Sequence, residues 1–361
     1  MAAVENLKIE LTKNPKKKPG PGDKLGFGTI FTDHMFLMEY DKGIGWHDAR
    51  IVPYGPVSLS LASTCLHYAQ ETFEGLKAYR ADDGRILMFR PEENFKRMNI
   101  SNARLCMPEL DVDFCVECLK KLVDIDKEWV PEAEGASLYI RPMTIGIESR
   151  LGVKEADNYL FAILLSPSGA YYESGLKPVK IYVEENYVRA VRGGVGFAKT
   201  GGNYASSMLA QHVAHEQGYA QVLWLDGVER KYIGEVGAMN IFFVIDGEVI
   251  TPELDGSILA GITRKSIIEL LREEGYKVTE RKLSIQEVAQ AYEEGKLQEV
   301  FGSGTAAVIS PVGELKWGDK VMKIGGGEIG PISFKAYQTL TGIQWGRIAG
   351  PEGWSVEAAR L

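Results

Sequence analysis

Long apolar runs are missing from this 361-residue chain. The most apolar stretch, YLFAILL at residues 159–165, is far too short to span a bilayer and reads as a buried strand. The opening MAAVENLKIELTKNP has no apolar core of a secretory signal, and no arginine occurs in the first thirty residues. Neither a secretory signal nor a transit peptide is expected, so the chain reads as cytoplasmic. Positive charge is in deficit: 41 Lys and Arg stand against 49 Asp and Glu, for a net charge of −8 and a pI of about 5.4. That balance argues against a nucleic-acid surface as the main business. The one basic cluster, Lys16, Lys17 and Lys18, precedes Pro19-Gly20-Pro21-Gly22 and reads as a solvated arm.

Metal ligands are also scarce, with five histidines and four cysteines. Cys115 and Cys118 form a C-x-x-C in DVDFCVECLKKLVDI, but no second pair and no nearby histidine completes a ligand set. Together with Leu119 and Leu122 they fall at i, i+3, i+4 and i+7, the buried stripe of an amphipathic helix. His212, His215 and Glu216 likewise lack a third ligand and read as a solvated helical group. No metal is expected. Solenoid repeats and low-complexity tracts are absent.

What is present is an ordinary globular composition, 45% hydrophobic and 25% charged, in a chain long enough for two domains. GLKAYRADDGRILMFRP (75–91) reads as a hairpin turning at Asp83-Gly84, and NIFFVIDGEVITP as another around Asp246-Gly247. Segments 137–146 and 158–169 read as core strands. Apolar periodicity lapses at GAYYESGLKPVK, where Gly, Ser and Pro accumulate, so the domain junction is placed there. The expectation is a small N-terminal α/β domain over 1–169, a linker over 170–180 and a large C-terminal domain over 181–361. TRKSIIELLREEG reads as a helix closed by Gly275, and Ser284 with Glu287 as a capping box. The fold class is mixed α and β (α+β).

GGVGFAKTGGNYA (193–205) sets Lys199 among glycines. A phosphate-binding loop of the form G-x-x-x-x-G-K-[ST] would need glycine where Ala198 stands. It would also need a helix directly after the lysine, which Gly201-Gly202-Asn203 is expected to break. The alternative is a lysine whose neutral amine attacks a carbonyl, with glycines admitting a bulky ring. If that carbonyl belongs to pyridoxal phosphate, the chain must also supply a carboxylate for the pyridine nitrogen and a phosphate site. Glu235, in GEVGAMNIFFV, is the carboxylate candidate; buried, it needs a cationic partner, whether that ring or an internal salt bridge. Gly261, Ile262 and Thr263 open a helix and offer free amides to an anion, and Gly302, Gly304 and Thr305 form a second candidate turn. Arg97 lies on the polar line Asn94, Arg97, Ser101, Arg104 of a helix, which by spacing alone reads as solvent-facing.

KTGGNYA, GEVGAMN, LAGITR and FGSGTAAVISP, in this order, resemble the fold-type IV pyridoxal-phosphate enzymes, and more narrowly the branched-chain amino acid aminotransferases. FGTIFTDHM, LHYAQETFEGLKAYR, FRPEENFKRM and SLYIRP extend the likeness over nearly the whole chain, from about residue 20. The resemblance implies a two-domain D-amino acid aminotransferase-like fold, a homodimer, and pyridoxal 5'-phosphate at the domain interface. It implies that Lys199 bonds the cofactor covalently, that Glu235 holds the pyridine nitrogen, and that Tyr204 meets the phenolic oxygen. Arg97, Gly261, Ile262, Thr263 and Thr305 would take the phosphate. Phe27, Tyr68, Phe73, Tyr139, Arg141, Tyr171, Ala238, Thr305 and Ala306 would line the substrate pocket, with Arg141 serving the side-chain carboxylate of glutamate. Tyr139 and Arg141, two apart on a strand, share a face. The implied reaction is reversible transfer of the amino group of L-leucine, L-isoleucine or L-valine to 2-oxoglutarate, by a ping-pong course.

Two departures from the family pattern stand out. Ala307 and Ser310 occupy the places of a redox C-x-x-C found in some animal members, and Ala238 stands where others have threonine. The rival readings are a D-amino acid aminotransferase or aminodeoxychorismate lyase of the same fold, a nucleotide hydrolase, and a non-catalytic binding protein.

Overall fold

The computed structural model describes residues 7–20, 22–170 and 175–361. Two compact units emerge from its contacts. The first comprises Met1–Glu173, Ala198–Gly201 and Gly342–Leu361; the second comprises Ser174–Phe197 and Gly202–Thr341. Each is built on a nine-stranded sheet with helices against it, the mixed α and β architecture expected.

The first unit's strands are β1 (Lys8–Ile9), β2 (His34–Asp41), β3 (Gly45–Pro53), β4 (Glu71–Phe73), β5 (Leu76–Arg80), β6 (Arg85–Phe89), β7 (Ser137–Gly146) and β8 (Asn158–Ser168), together with a C-terminal strand, Ser355–Arg360. They run β1-β3-β2-β8-β7-β5-β6-(355–360), with β4 beside β7. All pairs are antiparallel except β1 with β3. The helices are α1 (Thr64–Tyr68), α2 (Pro91–Arg104) and α3 (Val112–Ile125). The alternation of β7 and β8 sends Leu138, Ile140, Phe161, Ile163 and Leu165 into one core, against Phe95 and Met98 of α2 and Phe114, Leu119 and Leu122 of α3. Cys115 and Cys118 complete that stripe of α3, with Asp111 accepting the Phe114 amide as its N-cap. Truncating Leu119 or Leu122, both without exposed surface, would cost about 2–5 kcal/mol.

The second unit's strands are β9 (Val179–Glu184), β10 (Gln221–Leu225), β11 (Ile233–Val236), β12 (Asn240–Ile245), β13 (Glu248–Thr251), β14 (Val278–Glu280), β15 (Leu297–Gly304), β16 (Val308–Trp317) and β17 (Lys320–Lys323); the C-terminal strand of the first unit is β18. Their order is β11-β10-β9-β16-β15-β12-β13-β14, with β17 on β16. Helices α4 (Gly201–Ala205), α5 (Met208–Glu216), α6 (Ile262–Glu273), α7 (Ile285–Glu293) and α8 (Pro331–Gln344) complete the chain. Gly275, at φ 85°, closes α6 as expected. Ser284 caps α7 by accepting the Glu287 amide, whereas the Glu287 carboxylate pairs with Arg281 instead of completing the box.

Three expectations are qualified or corrected. The basic arm is solvated at Lys16 and Lys17 as expected but is also tethered: Lys16 Nζ donates to the Phe31 and Thr32 carbonyls and lies 4.5 Å from the Tyr54 ring centroid, and Lys18 pairs with Glu128 at 2.6 Å. Carbonyl and carboxylate acceptors on the first unit supply a tether that charge alone does not show. Gly201-Gly202-Asn203 does not break helix; it forms α4, with Asn203 Nδ2 donating to the Val195 carbonyl and Ser206 N–H to the Gly202 carbonyl. The third concerns the domain division. The last twenty residues, expected in the C-terminal domain, return to the first unit because β18 pairs antiparallel with β6, and that unit thereby takes in the greater part of the chain.

Candidate active site

In the first unit, the segment carrying Lys199 is held by its main chain. The Lys199 amide donates to Ser101 Oγ at 2.8 Å, and its carbonyl accepts the Phe73 amide at 3.1 Å. Ser101 Oγ in turn reaches the Arg97 carbonyl at 3.2 Å, so α2 braces the lysine directly. The Gly201 amide donates to the Glu71 carboxylate. Lys199 Nζ stands 4.8 Å from the centroid of the Phe73 ring.

Around it lies a wall from one face of the sheet. Cross-strand register places Tyr139 and Arg141 of β7 on the face shared with Phe73 and Glu71 of β4. Arg141 Nη2 donates to Tyr139 Oη at 3.1 Å, and the guanidinium lies 4.8 Å from the Phe73 ring centroid. Phe27 meets Tyr139 edge-on at 4.8 Å between centroids. Arg141 Nε is buried with no hydrogen-bond partner, as is Ser166 Oγ, which belongs to the residue opposite Tyr139. Two orphaned polar atoms on an apolar and aromatic face fit a ligand that brings its own acceptor. Tyr68 is instead bonded through its hydroxyl to the Leu151 carbonyl. Tyr171 lies outside the described residues.

Arg97 is buried, not solvent-facing. Its Nε and Nη2 each reach a Glu74 oxygen at 2.8 Å, and Asn94 Nδ2 adds a bond to the same carboxylate at 2.7 Å. Asn94, Arg97 and Ser101 of that polar line thus face inward, where Glu74 supplies a buried countercharge, while Arg104 at the helix end is exposed.

In the second unit, Glu235 is buried on β11 and ion-paired with Arg189, whose Nη2 also donates to the Ser257 carbonyl. Asn240 Nδ2 lies 3.4 Å from Glu235 Oε1 and 2.9 Å from the Leu259 carbonyl. The cationic partner that burial demands is therefore Arg189, a residue that no motif or spacing singles out. Antiparallel pairing of Asn240 with Ser303 puts the turn holding Ala238 and the turn holding Thr305 and Ala306 at the same end of this sheet. Gly261 is the N-cap of α6, which has no side-chain cap and no acidic residue in its first turn. The Ile262 and Thr263 amides are thus placed as an anion would require. A Cβ on Gly261 would meet Asn240 Oδ1 at 2.0 Å, so this close approach needs glycine. Tyr204 lies on α4. A buried carboxylate and an uncapped helix start fit a ligand with a protonated ring nitrogen and a phosphate. Among the described residues, no three His, Cys, Asp or Glu side chains could hold a metal ion, and no helix is long and apolar enough to cross a membrane.

The profile of the family described as amino-transferase class IV matches residues 71–315, and the chain belongs to that family. Within the class, its similarity is to the branched-chain-amino-acid aminotransferases. It is 56% identical over 357 residues to branched-chain-amino-acid aminotransferase 2 of Bacillus subtilis, covering 99% of this chain and 98% of the relative. It is 58% identical to a probable branched-chain-amino-acid aminotransferase of Staphylococcus aureus, over 97% of this chain and 98% of that one. Among solved structures, the branched-chain amino acid aminotransferase of T.th., determined with pyridoxamine 5'-phosphate, aligns with a TM-score of 0.76 at 28% identity. That alignment covers 91% of this chain and all of the other.

Proposed function

We propose that the protein is a pyridoxal 5'-phosphate-dependent transaminase that moves the amino group of a branched-chain L-amino acid to 2-oxoglutarate. The observation that carries this reading is Lys199, fixed by its main chain beside an aromatic wall that contains a cation, Arg141. Pyridoxal phosphate, when bound, supplies an electrophilic carbonyl and an electron-withdrawing ring. Lys199 Nζ would hold the group through that carbonyl and would act as the base for the substrate's Cα proton. Glu235, oriented by Arg189 and Asn240, keeps a proton on the ring nitrogen, and Tyr204 orients the ring. Arg97, held by Glu74, would be a phosphate ligand of the first unit; the Ile262 and Thr263 amides and Thr305 would be those of the second.

The aromatic wall suits a branched aliphatic side chain, and Arg141 suits the second carboxylate of glutamate, so one pocket serves both half-reactions. Ala238 and Ala306 add small, apolar surface. The same reading takes the enzyme as a homodimer in the cytoplasm. The exposed apolar side chains Leu61, Leu151 and Val153 of the first unit support a self-association surface.

The test is the visible absorption of the cofactor-loaded protein. The band should fall on adding L-leucine, return with 2-oxoglutarate, and be absent from Lys199→Ala. A response to D-amino acids alone would move the activity to a sibling of the same fold. No response to any amino acid would refute the reading.

A further inference from the structure

Ala198–Gly201 belongs to the first unit, while the residues on both sides of it belong to the second. The main-chain bonds that hold this short segment include three: Lys199 N–H to Ser101 Oγ, Phe73 N–H to the Lys199 carbonyl, and Gly201 N–H to Glu71 Oε1. The first two are made by a hydroxyl and a peptide. The third commits a carboxylate to one amide, which is costly unless the geometry it secures matters.

Glu71 opens β4, two residues before Phe73, so both side chains leave the strand on the face that carries Arg141 and Tyr139. Burial pushes its carboxyl up from the usual carboxylate range, while the Gly201 amide, Arg141 and Lys199 favour the ionised form. A Cβ placed on Gly201 would lie 2.3 Å from Glu71 Oε1, so the contact exists only because residue 201 is glycine. On the opposite face of β4, Thr72 Oγ1 bonds Asn102 of α2, which fixes the strand that presents Glu71.

We propose that Glu71 is a positioning residue for Lys199: by accepting the Gly201 amide it fixes the main chain just past the lysine, and with it the reach of Nζ. The proposal rests on the reading of Lys199 given above. It concerns a bond that a glutamine could also make, since a side-chain amide oxygen can take the same proton.

The experiment compares Glu71→Ala, Glu71→Gln, Gly201→Ala and the double variant Glu71→Ala/Gly201→Ala. Amide hydrogen exchange over residues 198–205 is measured in the cofactor-free protein, and kcat and KM for L-leucine in the loaded enzyme. Glu71→Ala should speed exchange at residue 201 by roughly ten- to a hundredfold, the loss of a charged hydrogen bond. It should lower kcat by roughly ten- to a hundredfold with KM within about threefold, the signature of a misplaced group rather than lost binding. Glu71→Gln should stay within about threefold on both counts. Gly201→Ala should lower kcat in the wild type but add no further loss to Glu71→Ala, where its methyl group finds room. Wild-type exchange and kcat in Glu71→Ala would overturn the proposal, as would equal damage by Gln, which would make charge the cause. If Glu71→Ala fails to fold, wild-type behaviour of Gly201→Ala overturns it. Exchange reports the bond even if the wild type transaminates nothing, so failure of the reading of Lys199 is seen separately.

Discussion

The Glu74 carboxylate offers the sharpest test of what holds the first unit's site together. It has no exposed surface and accepts Arg97 Nε on Oε1, with Arg97 Nη2, Asn94 Nδ2 and the Gly75 amide on Oε2. Glu74→Gln preserves shape, so no cavity forms. The new NH2 group, however, must face a donor in either orientation, and the buried guanidinium loses its countercharge. Breaking such a pair costs about 3–5 kcal/mol. Urea unfolding of the cofactor-free protein, followed by tryptophan fluorescence, should show that loss. Cofactor affinity should also fall, because the Arg97 fork is no longer fixed. The double variant Glu74→Gln/Arg97→Met should cost less than the sum of its singles by about 1–3 kcal/mol. A Glu74→Gln protein within about 1 kcal/mol of wild type would refute the reasoning, since the pair would then be no more than a spectator.

Two further outcomes follow from burial. Lys77 is buried on β5, and burial lowers its pKa from 10.5 to about 8. Between those values the unfolded chain holds a proton that the folded one has lost, so stability should rise with pH across that window; below about 8 the full cost of burial is present. The gain, relative to Lys77→Met, should be about 3 kcal/mol in urea titrations at pH 8 and 10.5, and a flat difference would contradict it. Among the thiols, Cys106 is exposed and Cys65 half-buried, whereas burial pushes Cys118 up to about 12 and Cys115 well above its ordinary value. A thiol reagent at neutral pH should therefore label Cys106 first, Cys65 more slowly, and Cys115 and Cys118 only on unfolding; early labelling of either buried thiol would be inconsistent with the packing of α3.

Local chemistry was the legible part of this fold. Asp83-Gly84 and Asp246-Gly247 turn hairpins because the positive φ at Gly84, Asp246 and Gly247 suits few other residues, and the α3 stripe is set by spacing alone. What escaped the sequence was long-range. β18 buries only Ala359 of its six residues, and it pairs with β6, which lies far from it in sequence. Lys16 read as solvated but not as tethered, because its acceptors, the Phe31 and Thr32 carbonyls, have no residue-type signature. At the candidate site, Lys199 and Glu235 could be singled out because a charge among small and apolar residues demands a reason. Ser101, Glu71 and Arg189 could not, because each bonds a segment distant in sequence. Arg97 read as solvent-facing until Glu74 gave its charge a partner.

The glycines that raised the question of a phosphate loop have another use. A Cβ on Gly196 would come within 2.2 Å of the Ser257 carbonyl, and one on Gly201 within 2.3 Å of Glu71 Oε1. Gly196 belongs to the second unit and Gly201 to the first, so each secures a close approach inside its own unit. Neither amide cluster is shaped around an anion: Ala198 is buried, and the Gly201 amide is already committed to a carboxylate, the one kind of group that would repel a phosphate. That leaves the start of α6, remote in sequence from the lysine, with the free amides an anion needs. Gly201 therefore admits the Glu71 carboxylate beside the Lys199 segment, and Gly196 admits the Ser257 carbonyl within the second unit. A nucleotide loop would combine a lysine and anion-binding amides in one segment, whereas here the Gly201 amide is spent on a carboxylate.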